Sequence, residues 1–131
     1  MQMKLELVIL PVSDVDRSRA FYRDVLGFTV DVDQEVAPGV WIVQMTPPGS
    51  ACSVMFGTGL PVFTEMAPGS VRGLHLVVDG IEAARAELAG RGLDVGDLQD
   101  VGGGVRYAGF ADPDGNTLTL QEMAWRTGDA F

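Results

Sequence analysis

The chain has 131 residues, 47% of them apolar and 21% charged, with a formal net charge of −9 and a sequence pI near 4.3. That length makes one domain with its own core, and no apolar run approaches the roughly 20 residues of a membrane span. The acidity opposes phosphate-backbone and anionic-membrane partners; it serves solubility or marks a groove suited to a cationic ligand.

In chain order, residues 4–12 read as a strand that starts almost at once, so no cleavable leader is expected. Ser13 reads as a helix N-cap with Asp16 as its capping-box partner. Phe21, Tyr22, Val25 and Leu26 form one apolar face at helical spacing, and Gly27 stops the helix. Strands are expected at about 28–34, 40–45 and 51–57, the last two joined by a turn at 47–50. Residues 59–71 are rich in Gly and Pro and read as a linker, and their Leu60, Val62, Phe63 and Met66 place it across a surface or groove.

The second half opens with a strand at 72–78. Asp79 is expected to cap the next helix with Glu82 answering it, and Ile81, Ala84 and Leu88 give the buried stripe. Strands follow at about 93–95, 105–111 and 117–123, with a tight Asp-Pro-Asp-Gly-Asn turn at 112–116. The run Gly102–Gly103–Gly104 precedes a strand, so it reads as a flexible lip rather than a phosphate loop. The lone cysteine, Cys52, sits in an apolar strand and reads as a small buried hydrophobe, which suits a cytoplasmic setting.

Residues 1–57 repeat as 67–123 at an offset of 66. Val12 matches Val78, Arg19 matches Arg85, Pro47 matches Pro113 and Gly49 matches Gly115, while Trp41 meets Tyr107. The fold class expected is therefore α+β, with two tandem βαβββ modules forming a curved mixed β-sheet cup. One domain spans 1–131: module 1 at 1–58, linker 59–71, module 2 at 72–123 and a tail at 124–131. The groove between two such copies is the natural ligand site.

Two stretches carry a family resemblance. Ile9–Leu10–Pro11–Val12–Ser13–Asp14–Val15–Asp16–Arg17–Ser18, followed by Phe21–Tyr22 and Leu26–Gly27–Phe28, resembles the opening of vicinal oxygen chelate proteins. Phe110–Ala111–Asp112–Pro113–Asp114–Gly115–Asn116–Thr117–Leu118 resembles their ending. These are the glyoxalase, bleomycin-resistance and extradiol-dioxygenase relatives. The resemblance implies metal ligands, His or Glu, on the first and last strand of each module. It places those positions here at Leu7 and its repeat partner Gly73, and at Thr119 and its partner Ser53. None of these four side chains suits a catalytic divalent metal, so neither metal nor cofactor is expected.

Strand alternation extends the inner face to Leu5, Ile9, Ala51, Met55, His75, Val77, Thr117 and Gln121. His75, the only histidine, reads as a structural residue, a ligand contact or a general base. Trp41 and Tyr107 either pack in the core or stack on a planar ligand. Arg72 and Arg106 are the cations nearest the second cup. The candidate ligand-binding set is His75, Trp41, Tyr107, Ser53, Met55, Thr119, Gln121 and Leu7, with His75 the one catalytic candidate.

The function this implies is sequestration of a small apolar or aromatic drug or metabolite by a homodimer, without nucleic-acid or membrane partners. The alternative is an enzyme of the same superfamily. It would use His75 for metal-free acid–base chemistry, or be a metal-dependent lyase, isomerase or dioxygenase.

Overall fold

The computed structural model describes residues 1–131 and resolves into two compact units. The first comprises Met1–Ser70 with Pro113–Asn116, and the second Val71–Asp112 with Thr117–Phe131. No helix is long and apolar enough to cross a membrane.

In the first unit, β1 (Leu7–Ile9) leads to helix α1 (Val15–Ala20), which continues as a π-helical turn over Phe21–Val25. Strands β2 (Thr29–Ala37), β3 (Val40–Thr46) and β4 (Ser53–Thr58) follow. The sheet order is β1-β4-β3-β2, with β1 parallel to β4 and the other pairs antiparallel. Register sorts the side chains. Val43 lies opposite Phe56 and Met45 opposite Val54, and these face the helix, where Tyr22 stands 6.0 Å from Phe56 and 5.6 Å from Phe28 between ring centroids. Tyr22, Phe56, Val43 and Met45 are fully buried. Burying each large side chain of this kind is worth about 2–3 kcal/mol. The other, open face carries Leu7 beside Ser53 and Ile9 beside Met55, with Gln44 across from Met55.

In the second unit, β5 (Leu74–Val77), helix α2 (Ile81–Gly90), β6 (Gln99–Gly102), β7 (Val105–Ala111) and β8 (Thr117–Met123) build a sheet of order β5-β8-β7-β6. Its helix side buries Ile81, Leu88, Ala108, Phe110, Leu118 and Leu120. Its open face follows from the pairs His75–Thr119, Val77–Gln121, Tyr107–Gln121, Gly109–Thr119 and Ala111–Thr117. The two βαβββ modules and the α+β class thus stand.

Several local expectations change. Ser13 does not cap α1; Asp14 does, accepting from the Arg17 amide at 3.1 Å. Ser13 instead donates its amide to Asp114 at 3.1 Å, and its hydroxyl also donates to that carboxylate. Asp79 does not cap α2 either. Its carboxylate accepts from the Gly128 amide at 2.6 Å, tying down the tail, and Glu122 from β8 accepts from the Ile81 amide at 3.2 Å. In both cases a partner distant in sequence outbid the local pattern.

Residues 93–95 form no strand, although Val95 is buried. The strand is β6, an exposed polar edge with no apolar alternation to announce it. The linker forms a short turn of 3-10 helix, Pro61–Phe63, with Phe63 buried. A Cβ on Gly57 would come within 2.9 Å of the Phe63 ring, so the linker packs on its own unit, in line with its apolar residues.

The turn after β7 has a role beyond reversal. Asn116, fully buried, donates from Nδ2 to the Pro11 carbonyl at 2.9 Å. Arg17 Nη2 lies 3.1 Å from Asp114. A Cβ on Gly69 would sit 2.0 Å from the Asp114 carbonyl oxygen, so only glycine permits this approach.

Candidate functional site

The strand registers correct the repeat. Ser53 and Thr119 are 66 residues apart and equivalent, but Ser53 lies beside Leu7 and Thr119 beside His75. The first strands are therefore offset by 75 − 7 = 68, and Leu7 matches His75 rather than Gly73. Met55 lies opposite Gln44 and Gln121 opposite Tyr107, so the third strands are offset by 107 − 44 = 63. The partner of Tyr107 is Gln44, not Trp41.

The second slip is odd, and an odd slip reverses the face of every side chain. Tyr107 belongs to the open face of its sheet. Trp41, paired with Glu35 and Thr58, belongs to the helix side of its own. There its indole N–H donates to Asp33 at 2.7 Å, and Arg19 of α1 lies 2.7 Å from the same carboxylate. Burial pushes the Asp33 carboxyl up, but the bonds from Trp41 and Arg19 outweigh it and hold the group below the usual carboxylate range. The expected aromatic pair is thereby parted.

Of the other predicted site residues, Leu7, Ser53 and Met55 share the open face of the first sheet. His75, Tyr107, Thr119 and Gln121 share that of the second. The His75 and Tyr107 rings meet edge-on at 5.3 Å. The residue reached by resemblance as a metal position, Gly73, precedes β5 with φ +71° and gives its amide to the Thr117 hydroxyl at 2.8 Å.

Its carbonyl orders the imidazole. His75 Nδ1 lies 2.5 Å from the Gly73 oxygen. A carbonyl only accepts, so Nδ1 carries the proton of the neutral ring and Nε2 keeps its lone pair.

Beside these groups lies an open hollow of about 430 Å³, lined by Asp94, Gly96, Gly109, Ala111, Thr117 and Thr119 among others. Gly109 and Ala111 make room for it. Sequence reasoning missed both, because small residues carry no chemical signal; the repeat register, once corrected, points to Gly109.

Arg106 is no ligand cation. On the helix side it pairs with Glu82 and with Glu122. The hydrogen bond from Arg106 holds the Glu82 carboxyl below its usual range, and Glu82 followed by Glu122 raises the guanidinium.

The four equivalent positions of the two sheets now read Leu7, Ser53, His75 and Thr119. They offer one imidazole, two hydroxyls and an alkyl group. No group of three or more His, Cys, Asp or Glu side chains is placed to hold a metal ion. This donor set does not fit a catalytic divalent metal.

The sequence pattern described as Glyoxalase/Bleomycin resistance protein/Dioxygenase superfamily matches residues 4–120. No curated protein matches the chain. Among solved structures, the chain is similar to TnmS3, an antibiotic binding protein from Streptomyces sp. CB03234, at 34% identity over 93% of this chain and 97% of that one, with a TM-score of 0.81. A glyoxalase/bleomycin resistance protein from the same organism is 35% identical over 89% and 98% of the two chains, TM-score 0.76. A member of the superfamily from Sphaerobacter thermophilus DSM 20745 is 31% identical over 92% and 98%, TM-score 0.79.

Proposed function

The chain belongs to the glyoxalase/bleomycin resistance protein/dioxygenase superfamily, and we propose that within it the protein binds a small, largely apolar or aromatic molecule and sequesters it. One observation carries this reading. The open face of the second sheet sets an edge-on His75–Tyr107 pair among Thr119, Gln121 and the Gly109–Ala111 hollow. That is a hollow made by small residues beside an aromatic corner, with a few fixed polar groups to orient a ligand. Likeness to an antibiotic binding protein at 34% identity supports it. Calorimetric titration with a panel of planar aromatic antibiotics tests it. Saturable binding that Tyr107→Ala weakens is expected, and no binding across the panel would overturn it.

A second reading has its own observation. The Gly73 carbonyl fixes the His75 tautomer and leaves Nε2 as a bare acceptor, which is what a metal-independent general base requires. Mass spectrometry of a bound compound after long incubation separates the two. Recovery unchanged supports sequestration; chemical conversion that His75→Gln abolishes supports catalysis.

We also infer a homodimer without nucleic-acid or membrane partners, in the cytoplasm. Strands β1 and β2 are the edges of one sheet and β5 and β6 of the other, and such edges are commonly covered by a second chain. A net charge of −9 disfavours polyanions. Sedimentation at micromolar concentration should give twice the chain mass, and a monomer would refute the dimer.

A further inference from the structure

The open face of the first sheet carries a polar chain that the repeat does not duplicate. The Thr46 hydroxyl donates to Asp31, and the Thr46 and Ser53 oxygens lie 2.7 Å apart. The register of β2 on β3 shifts between Val30 and Val32, so Asp31 occupies a bulge, where strands re-aim side chains. In the second sheet the place of Thr46 is taken by Gly109, across from Thr119, and no such chain forms.

Proton counting fixes the direction of this chain. A hydroxyl has one proton and a carboxylate has none. Thr46 gives its proton to Asp31, so the proton shared between Thr46 and Ser53 must come from Ser53. Ser53 Oγ is left with lone pairs only. A free serine donates or accepts at will, whereas this one is committed to accept. Asp31 forms no ion pair with any Arg or Lys. Its charge therefore polarises the two hydroxyls in series. Ser53 is nearly buried, and its neighbours on the face are Leu7, Ile9 and Met55.

We propose that Ser53 is the acceptor for a protonated amine on a small aromatic ligand whose ring rests on Leu7, Ile9 and Met55. An ammonium has donors and no acceptor, matching a group that can only accept, and the acidic protein draws cations to it. The proposal rests on the small-molecule reading above and adds a second ligand position, on the first sheet, with the class of ligand it takes.

Two probes separate hydrogen bonding from charge: 1-naphthylmethylammonium, and its N,N,N-trimethyl analogue, which keeps the charge and lacks N–H. Calorimetry on the folded wild type should favour the primary ammonium by roughly tenfold, the usual scale of a charge-assisted hydrogen bond. Ser53→Ala and the isosteric Thr46→Val should each erase that preference, so that the two probes bind alike. Equal wild-type affinities, lost in Tyr107→Ala but untouched in Ser53→Ala, would overturn this site and leave the aromatic-binding reading standing. Failure of both probes to bind at millimolar concentration would overturn this site, while the antibiotic titration decides the small-molecule reading separately.

Discussion

The His75 imidazole meets the Tyr107 ring edge-on, with centroids 5.3 Å apart and planes at 84°. His75 is additionally held through Nδ1 by the Gly73 carbonyl. The two rings thus form a preset corner on the open face of the second sheet, and order that exists before binding need not be created by it.

Tyr107→Ala should remove that corner. Ligand affinity should fall by on the order of 1 kcal/mol or more, because ring contact adds to lost area. Tyr107→Phe keeps the ring and should bind within a few-fold of wild type. Calorimetry reads the affinities and thermal melting checks that both variants fold. Equal affinity in Tyr107→Ala would put the pocket elsewhere.

Trp41→Phe should do the opposite. It deletes the indole N–H that serves Asp33 on the helix side. Stability should drop by about 1 kcal/mol, the net worth of such a bond, with ligand affinity unchanged. Urea unfolding beside a binding titration measures both; lost affinity would contradict the face assigned to Trp41.

Acid should expose the Asp33 contribution. Its carboxyl is held below the usual range in the folded state. The folded protein therefore resists protonation there, and the contribution is complete above the unfolded carboxylate value. It disappears as pH falls through the lowered folded value, below about pH 4. Asp33→Asn should flatten the acid limb of a stability–pH profile in that window. An unchanged limb would show that the Trp41–Asp33–Arg19 network contributes nothing.

Gly73→Ala should disturb the site from outside it. At φ +71° a side chain is strained, and the cost should be about 1 kcal/mol or more. Relaxation of that strain moves the Gly73 carbonyl away from His75 Nδ1. Nitrogen NMR of the imidazole should then show the single-tautomer pattern of the wild type become mixed. A melting temperature and tautomer signature equal to wild type would contradict this.

Much of this was legible in the sequence because tandem modules repeat their punctuation. Leu7, Ser53 and Thr119 occupy the strand positions the family resemblance assigned. What failed was register. Pro47 and Pro113 were aligned, yet the turn between the last two strands is longer in the second module by 66 − 63 = 3 residues. Matched prolines therefore mispair the strands before them, and the aromatic likeness of Trp41 and Tyr107 conceals the shift. The first-strand slip of 68 − 66 = 2 is even, so it kept the face right and only the identity wrong, exchanging His75 for Gly73. The caps failed for another reason. Ser13 and Asp79 have the right chemistry for local capping, but each is claimed by a partner far along the chain, which no local window can see.

Pro113–Asn116 lies between β7 and β8 in sequence but is grouped with the first unit. A gene cut at the apparent module boundary after Ser70 would therefore yield a first half without the buried Asn116 amide that Pro11 requires. One copy now depends on a loop encoded inside the other, so heat or denaturant should abolish both in a single transition.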